Sequence, residues 1–421
     1  MRAYFKLGIQ SLKRLTGESP EQPTSRATLI FVASFFYFLC SQLLTNSTFI
    51  YHLGFYGVLV PSFLYIAFNQ RSSLPTIPYH VGTLGLLAFF LFATAHALIG
   101  AFPDQSLGKA FKEIILNSAF LCMALVVFAK RNLDSPTLLR SLVLTTLVMI
   151  PVSYAYYVYD SSKTPHFLPI GRAHNPIPIG NLYSVAALIA LWQYFQHDTT
   201  SRLKIICGFC YLLTALAIVI TTQRGPLLGL AAGTGIGVLL LCHVRYSMIA
   251  GLATIGLVGD YLLYYTHGTG ILPLDSFYSM ATHFFTQRDS TRLVIWQHAF
   301  ALILDAPWLG HGLHAKFAVE GIIGAVNPHN LFLSTLYYYG IVGLGLLLVP
   351  LFSAFIICLK QHRSPHHQLC LILLVHAVAA TLTNYGQVVQ APSPLWTIYW
   401  LPIAMALARP REKQLSYSCL N

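Results

Sequence analysis

The sequence predicts an all-α polytopic membrane protein: about 12 transmembrane helices, both termini cytoplasmic, and one large helical loop on the outer face. Three observations predict it. Only 9% of the 421 residues are charged, against about a quarter in a soluble domain. Hydrophobic residues make up 56%, and mean hydropathy is +0.63. The apolar residues also gather in runs of about 20, the length that crosses a bilayer. A soluble enzyme, a disordered chain and a secreted disulfide scaffold are thereby excluded.

The runs lie near 27–45, 49–69, 81–101, 113–129, 141–159, 180–197, 205–222, 226–243, 247–266, 331–359, 369–385 and 394–408. The first 26 residues are polar and basic, without the apolar core and cleavage site of a signal peptide. The chain then divides into an N-terminal cytoplasmic segment 1–26, helices one to nine in 27–266, a loop 267–330, helices ten to twelve in 331–408, and a tail 409–421. The 331–359 run is too long for one span. It is expected to break near Gly340, with a short interfacial helix before the true span.

Loop charges give the orientation. With the N-terminus inside, the outer face holds Lys109, Lys112, Lys163, Arg172, Arg224, Arg288, Arg292 and Lys316. The remaining 17 of the 25 Lys and Arg fall inside, as the positive-inside rule requires. This accounts for much of the formal charge of +12 without nucleic acid. Most of the outer cations flank the 160–179 loop, the 223–225 turn and the 267–330 loop. A loop as long as the last is uncommon unless functional. Residues 288–305 read as a helix stopped by Pro307, with Arg288 and Arg292 on one face. Residues 314–325 read as a second short amphipathic piece, and the loop as a helical cap.

Four places carry candidate chemistry, each with a plainer reading beside it. Gln223 and Arg224 sit in a tight turn before Gly225-Pro226, where Pro suits the first turn of the next helix. The plainer reading of Arg224 is a snorkelling helix anchor. Arg172 lies in a loop rich in Gly, Pro and His; it suits an anion, or is a solvated cation. Arg288 and Arg292, followed by Trp296, suit either an anion site or a helix lying on lipid headgroups. His329, in Asn327-Pro328-His329-Asn330, stands at the outer edge of a span. It can titrate near neutral pH and act as a general base, or be structural. Asn330 can cap the following helix.

Other polar residues rank lower. His311 and His314 compete with His329. His96 and His376 lie within spans and are expected to make interhelical hydrogen bonds. His362, His366 and His367 read as a solvated cytoplasmic group. The eight cysteines fall in apolar runs, at their ends or in the tail. Cys207 and Cys210 have metal-ligand spacing but no second pair. The sequence has no Walker A motif, no His-Glu-x-x-His and no outer Asp-x-Asp pair. Asp260 is one of few ionisable residues within a span, where a proton-coupled carrier would show more. No metal and no cofactor are implied.

Together these pieces resemble the O-antigen ligase and polymerase superfamily. The resemblance is carried by Thr222-Gln223-Arg224-Gly225-Pro226-Leu-Leu-Gly229, by Arg292 with Trp296, and by Asp305-Ala-Pro-Trp-Leu-Gly-His-Gly312. It continues in Pro328-His329-Asn330-Leu-Phe-Leu333 and Tyr339-Gly340-Ile-Val-Gly343. These cover about the second half of the chain; the first half matches in span count and polarity.

The resemblance implies a periplasmic loop and an active site facing the periplasm from a Gram-negative inner membrane. It implies a metal-independent transfer of glycan from an undecaprenyl-diphosphate donor. Within the superfamily the chain looks like the ligase, whose acceptor is the lipid A–core oligosaccharide. O-antigen polymerase and protein O-oligosaccharyltransferase share the motifs. His329, Arg224 and Arg292 are then the expected catalytic residues. Arg172, Arg288, Asn330, Gln223 and Trp296 are the expected substrate contacts. The reading from another class is a lipid-linked oligosaccharide flippase, which needs charges at several depths rather than at one edge. A structural scaffold would not depend on the arginines.

Overall fold

A computed structural model describes residues 26–45, 47–70, 74–99, 107–130, 135–160, 176–220, 223–241, 292–313, 315–322 and 325–409. The expected ninth span at 247–266, Arg172, Arg288, His314 and Asp260 lie outside them. Among the described residues the regular structure is helical, apart from one isolated bridge between Val319 and Ile322.

The helices in chain order are α1 (Arg26–Leu44), α2 (Phe49–Asn69), α3 (Val81–Ile99), α4 (Leu107–Ala129), α5 (Ser135–Asp160) and α6 (Pro176–Phe195). Then come α7 (Ser201–Ile220), α8 (Arg224–Leu241), α9 (292–305), α10 (Leu331–Lys360), α11 (Pro365–Thr381) and α12 (Trp396–Ala408). Among the described residues 7 helices are long and apolar enough to cross a membrane: α1, α2, α3, α4, α5, α7 and α10. α8, α11 and α12 are apolar but shorter. The chain is a multi-pass membrane protein.

Packing follows from which helices carry an outward face. α12 has none, every residue of Trp396–Ala408 being buried, and α6 has little, being buried along most of its length with Tyr194 exposed near its end. A helix apolar all round belongs inside the bundle. α8 reaches this core through a glycine every fourth residue. Gly225 meets Thr383 and Asn384 just after α11, Gly229 meets His376 and Ala380 of α11, and Gly233 meets Leu188 of α6. Such a row lets backbones approach closely.

α10 is bent where its length demands. Gly340 has φ 65° and ψ −168°, non-helical values inside the run, at the expected break. The left-handed φ favours glycine, and the carbonyl of Trp308 occupies the space a Cβ would need.

At the far end of the bundle the His366 and His367 reading is corrected. Both are buried, and they bond the carbonyls of Met405 at 3.0 Å and Arg409 at 2.7 Å. They satisfy C-terminal carbonyls of α12, which would otherwise be orphaned inside protein; only His362 is exposed. Arg409 in turn donates to the carbonyls of Phe128 and Lys130, at 2.7 and 2.8 Å.

Two more expectations are corrected. Among the described residues neither ring nitrogen of His376 has a hydrogen-bond partner, because it faces Gly229 and Ala380, which offer no polar side chain. His96 bonds a loop backbone, that of Leu309, rather than another helix. The 314–325 piece is no helix where it is described. Gly321, at φ 77°, turns the chain so that Val319 and Ile322 pair.

Candidate functional site

One end of the bundle gathers the residues of interest. α6 and α8 begin there side by side. Gly180 packs against the Pro226 ring, and Ser184 Oγ donates to the Pro226 carbonyl at 3.1 Å. α10 begins at the same end, so three helix N-termini point one way. Each brings the partial positive charge of a helix N-terminus, which favours an anion.

The Asn327–Asn330 turn is closely determined. The Asn327 side-chain oxygen accepts from the His329 N–H at 2.9 Å. This fixes His329 with φ 52°, a left-handed value that non-glycine residues rarely adopt. Asn330 caps α10, accepting from the N–H groups of Phe332 at 3.0 Å and Leu333 at 3.1 Å. Trp296 Nε1 donates to the Pro328 carbonyl at 3.0 Å. The helix carrying Arg292 is thereby tied to the turn carrying His329.

Both side chains are half-buried. Burial lowers the His329 pKa below its ordinary value, and the Arg292 charge lowers it further. Both effects favour the neutral imidazole, the form that accepts a proton. Removing water also strengthens the field of Arg292 on anything bound beside it.

The Arg224 turn is joined to this place by a segment the sequence did not single out. Residues 382–390 follow α11, and the apolar reading had placed the first of them inside a span. Thr383 and Asn384 fill the space beside Gly225, and Gly386 lies directly against Asn327. Tyr385 has φ 72°, and its hydroxyl accepts from Asn181 Nδ2 of α6 at 3.2 Å. Gln387 donates to the Leu313 carbonyl at 2.7 Å. The signal was present: Thr383-Asn384-Tyr385-Gly386-Gln387 is a polar, turn-forming interruption of an apolar run.

The structure thus gathers His329, Arg292, Trp296 and Asn330, and links them through 382–390 to Gln223 and the backbone of Arg224. His311 is elsewhere engaged: its Nε2 bonds the Leu302 carbonyl at 2.7 Å, and its ring stacks on Tyr337. Lys109 and Lys112 lie in the first turns of α4, whose Asn117 bonds the Gln390 carbonyl. Among the described residues no group of three or more His, Cys, Asp or Glu could hold a metal ion.

These features define a class: a multi-pass helical membrane protein with a cationic, histidine-bearing site at one end of its bundle. Comparison with known proteins narrows it. Residues 209–348 match the family model described as O-antigen ligase. Over 312 residues the chain is 27% identical to an O-antigen ligase of Pseudomonas aeruginosa, covering 73% of this chain and 72% of that protein. The likeness to O-antigen ligases is thus shown by two comparisons, and the matched segment contains Gln223, Arg224, Arg292, Trp296, His329 and Asn330.

Proposed function

We propose that this protein is an O-antigen ligase. It transfers glycan from undecaprenyl diphosphate to the lipid A–core oligosaccharide at the periplasmic face of a Gram-negative inner membrane. Twelve spans, cytoplasmic termini and a periplasmic 267–330 loop complete the reading; the described cations support the orientation. Arg26, Lys130, Arg140, Arg202, Lys204, Lys360, Arg363 and Arg409 lie at the end away from His329, and fewer lie beside it.

The donor has a lipid tail in the bilayer, a diphosphate at its edge and a glycan in water, so a site at the end of the bundle fits it. An acceptor hydroxyl oxygen bonds to the anomeric carbon as the bond from that carbon to the diphosphate oxygen breaks. The hydroxyl proton passes to the neutral ring of His329. The bonding electrons leave with the undecaprenyl diphosphate, and Arg224 and Arg292 stabilise its added negative charge. One such displacement inverts the anomeric carbon. Arg172, Arg288, Gln223, Asn330 and Trp296 orient the donor and the two turns.

The observation that carries this reading is the bond from Trp296 Nε1 to the Pro328 carbonyl, which ties the helix of Arg292 to the turn of His329. The test is transfer by purified protein from lipid-linked glycan to lipid A–core in the presence of EDTA. Arginines supply the charge, so full activity is expected. Loss of transfer, restored by a divalent ion, would replace the arginines with a metal in this role.

A further inference from the structure

Helix α9 has one face toward the protein, and its exposed surface carries an apolar stripe. At about 100° per residue, Arg292, Ile295, Ala299 and Ile303 share one side, and the last three are buried. Leu293, Phe300 and Leu304 form a stripe about 120° round the helix from them and are 56%, 56% and 77% exposed, bordered on the far side by the exposed Gln297 and Asp305. The stripe runs on past the helix end into Trp308, 67% exposed. A helix standing in water carries polar side chains on its outward face.

What lies at that level is fixed by the backbone. The kink at Gly340 frees two N–H groups of α10. Ile341 donates to the Pro307 carbonyl at 2.8 Å and Val342 to the Trp308 carbonyl at 3.2 Å. The end of α9 is therefore pinned to the first turn of the straight part of α10. That part runs from residue 341 to residue 360, about 30 Å at 1.5 Å per residue, which matches the hydrocarbon core of a bilayer. Ile341 and Val342 are themselves exposed apolar residues. The last turn of α3 stands alongside, with His96 bonded to the Leu309 backbone and Leu98 and Ile99 exposed. The bare stripe of α9 is thus continuous with the outward apolar surface of two spans, at one edge of the hydrocarbon.

We propose that α9 lies in the membrane interface, with Leu293, Phe300, Leu304 and Trp308 inserted among the fatty-acyl chains of the leaflet at the His329 end. The buried flank, about 100° round the helix, then presents Arg292 to the site from headgroup depth. The anchor sets how far from the hydrocarbon the arginine stands. This rests on the chain's spanning a membrane and not on its being a ligase.

The test uses the full-length protein in vesicles of phosphatidylethanolamine and phosphatidylglycerol. A fluorescent amino acid replaces Leu304, Phe300 or, as a control, the exposed Glu320. Emission is quenched by doxyl-labelled lipid or by aqueous iodide. At 304 and 300 most emission should be lost to the labelled lipid and little to iodide, with the reverse at 320. Iodide quenching at 304 and 300 would overturn the proposal, because the face then stands in water. Protection from both quenchers, with benzophenone at 304 giving covalent dimers, would overturn it in favour of a second copy. The readout needs no transfer activity, so it stands apart from the ligase assay.

Discussion

Gly225 of α8 and Asn384 after α11 lie so close that a Cβ on the glycine would overlap the Asn384 amide. Two residues further along the same loop, Gly386 meets Asn327 in the same way, with Asn327 Cβ 2.7 Å from where its own Cβ would be. One short loop therefore spaces the Arg224 turn from the His329 turn. Gly225→Ala should cost about 1–3 kcal/mol of stability, the usual penalty for overpacking, and should lower transfer. Asn384→Ala in the same chain should recover much of both, since the two changes meet at one contact. Thermal unfolding of the purified variants and their transfer rates check this. A single variant that matched wild type in both would show that the contact does not space the two turns.

The pH dependence of transfer follows from His329. Its pKa lies below the ordinary histidine value, through burial first and the Arg292 charge second. A general base works when unprotonated, so the acid limb of kcat/KM should fall below the usual histidine range. Removing the positive neighbour makes protonation easier and raises the pKa. Arg292→Gln should therefore move that limb to higher pH, whatever it does to the maximal rate. The position of the limb, measured on both proteins, is the readout. A limb that stayed in place would separate Arg292 from His329.

Arg224 opens α8 at the same end as the His329 turn. A guanidinium grips two phosphate oxygens with a planar fork, whereas an ammonium is a point charge. Arg224→Lys should reduce kcat/KM by about 100-fold, the scale of losing one oriented charge donor in a transition state. Protein amount in the membrane should stay normal. Full activity with Lys would mean that charge alone is needed there.

Much of this arrangement was legible because it rests on patterns of composition. Spans are apolar runs, and α1, α3 and α10 follow theirs closely. The break in α10 was legible from length alone, since the run exceeds one bilayer and contains Gly340. Asn330 was legible as a cap because its side chain and its place before an apolar run specify that role. What stayed hidden depends on tertiary contact. Nothing local in His366 and His367 shows that they meet the carbonyls of α12 across the bundle. Nothing local in Tyr385 shows that Asn181 holds its hydroxyl. The 382–390 loop was absorbed into a span because hydropathy averages over the residues that interrupt it. For α9 the sequence left two readings open, an anion site or a helix lying on lipid headgroups. The kink at Gly340 pins the end of that helix to α10, a tertiary contact that no local pattern reveals.

The most direct measurement is a lipopolysaccharide gel from a ligase-null Gram-negative strain that makes the cognate core and O-antigen. It would carry this gene as wild type or as His329→Ala, with both proteins quantified in the membrane. A ladder of O-antigen bands with wild type and none with His329→Ala, at equal protein levels, is the predicted result. A ladder from both would remove His329 as the base. No ladder from either, with lipid-linked polymer still accumulating, would contradict the ligase reading itself.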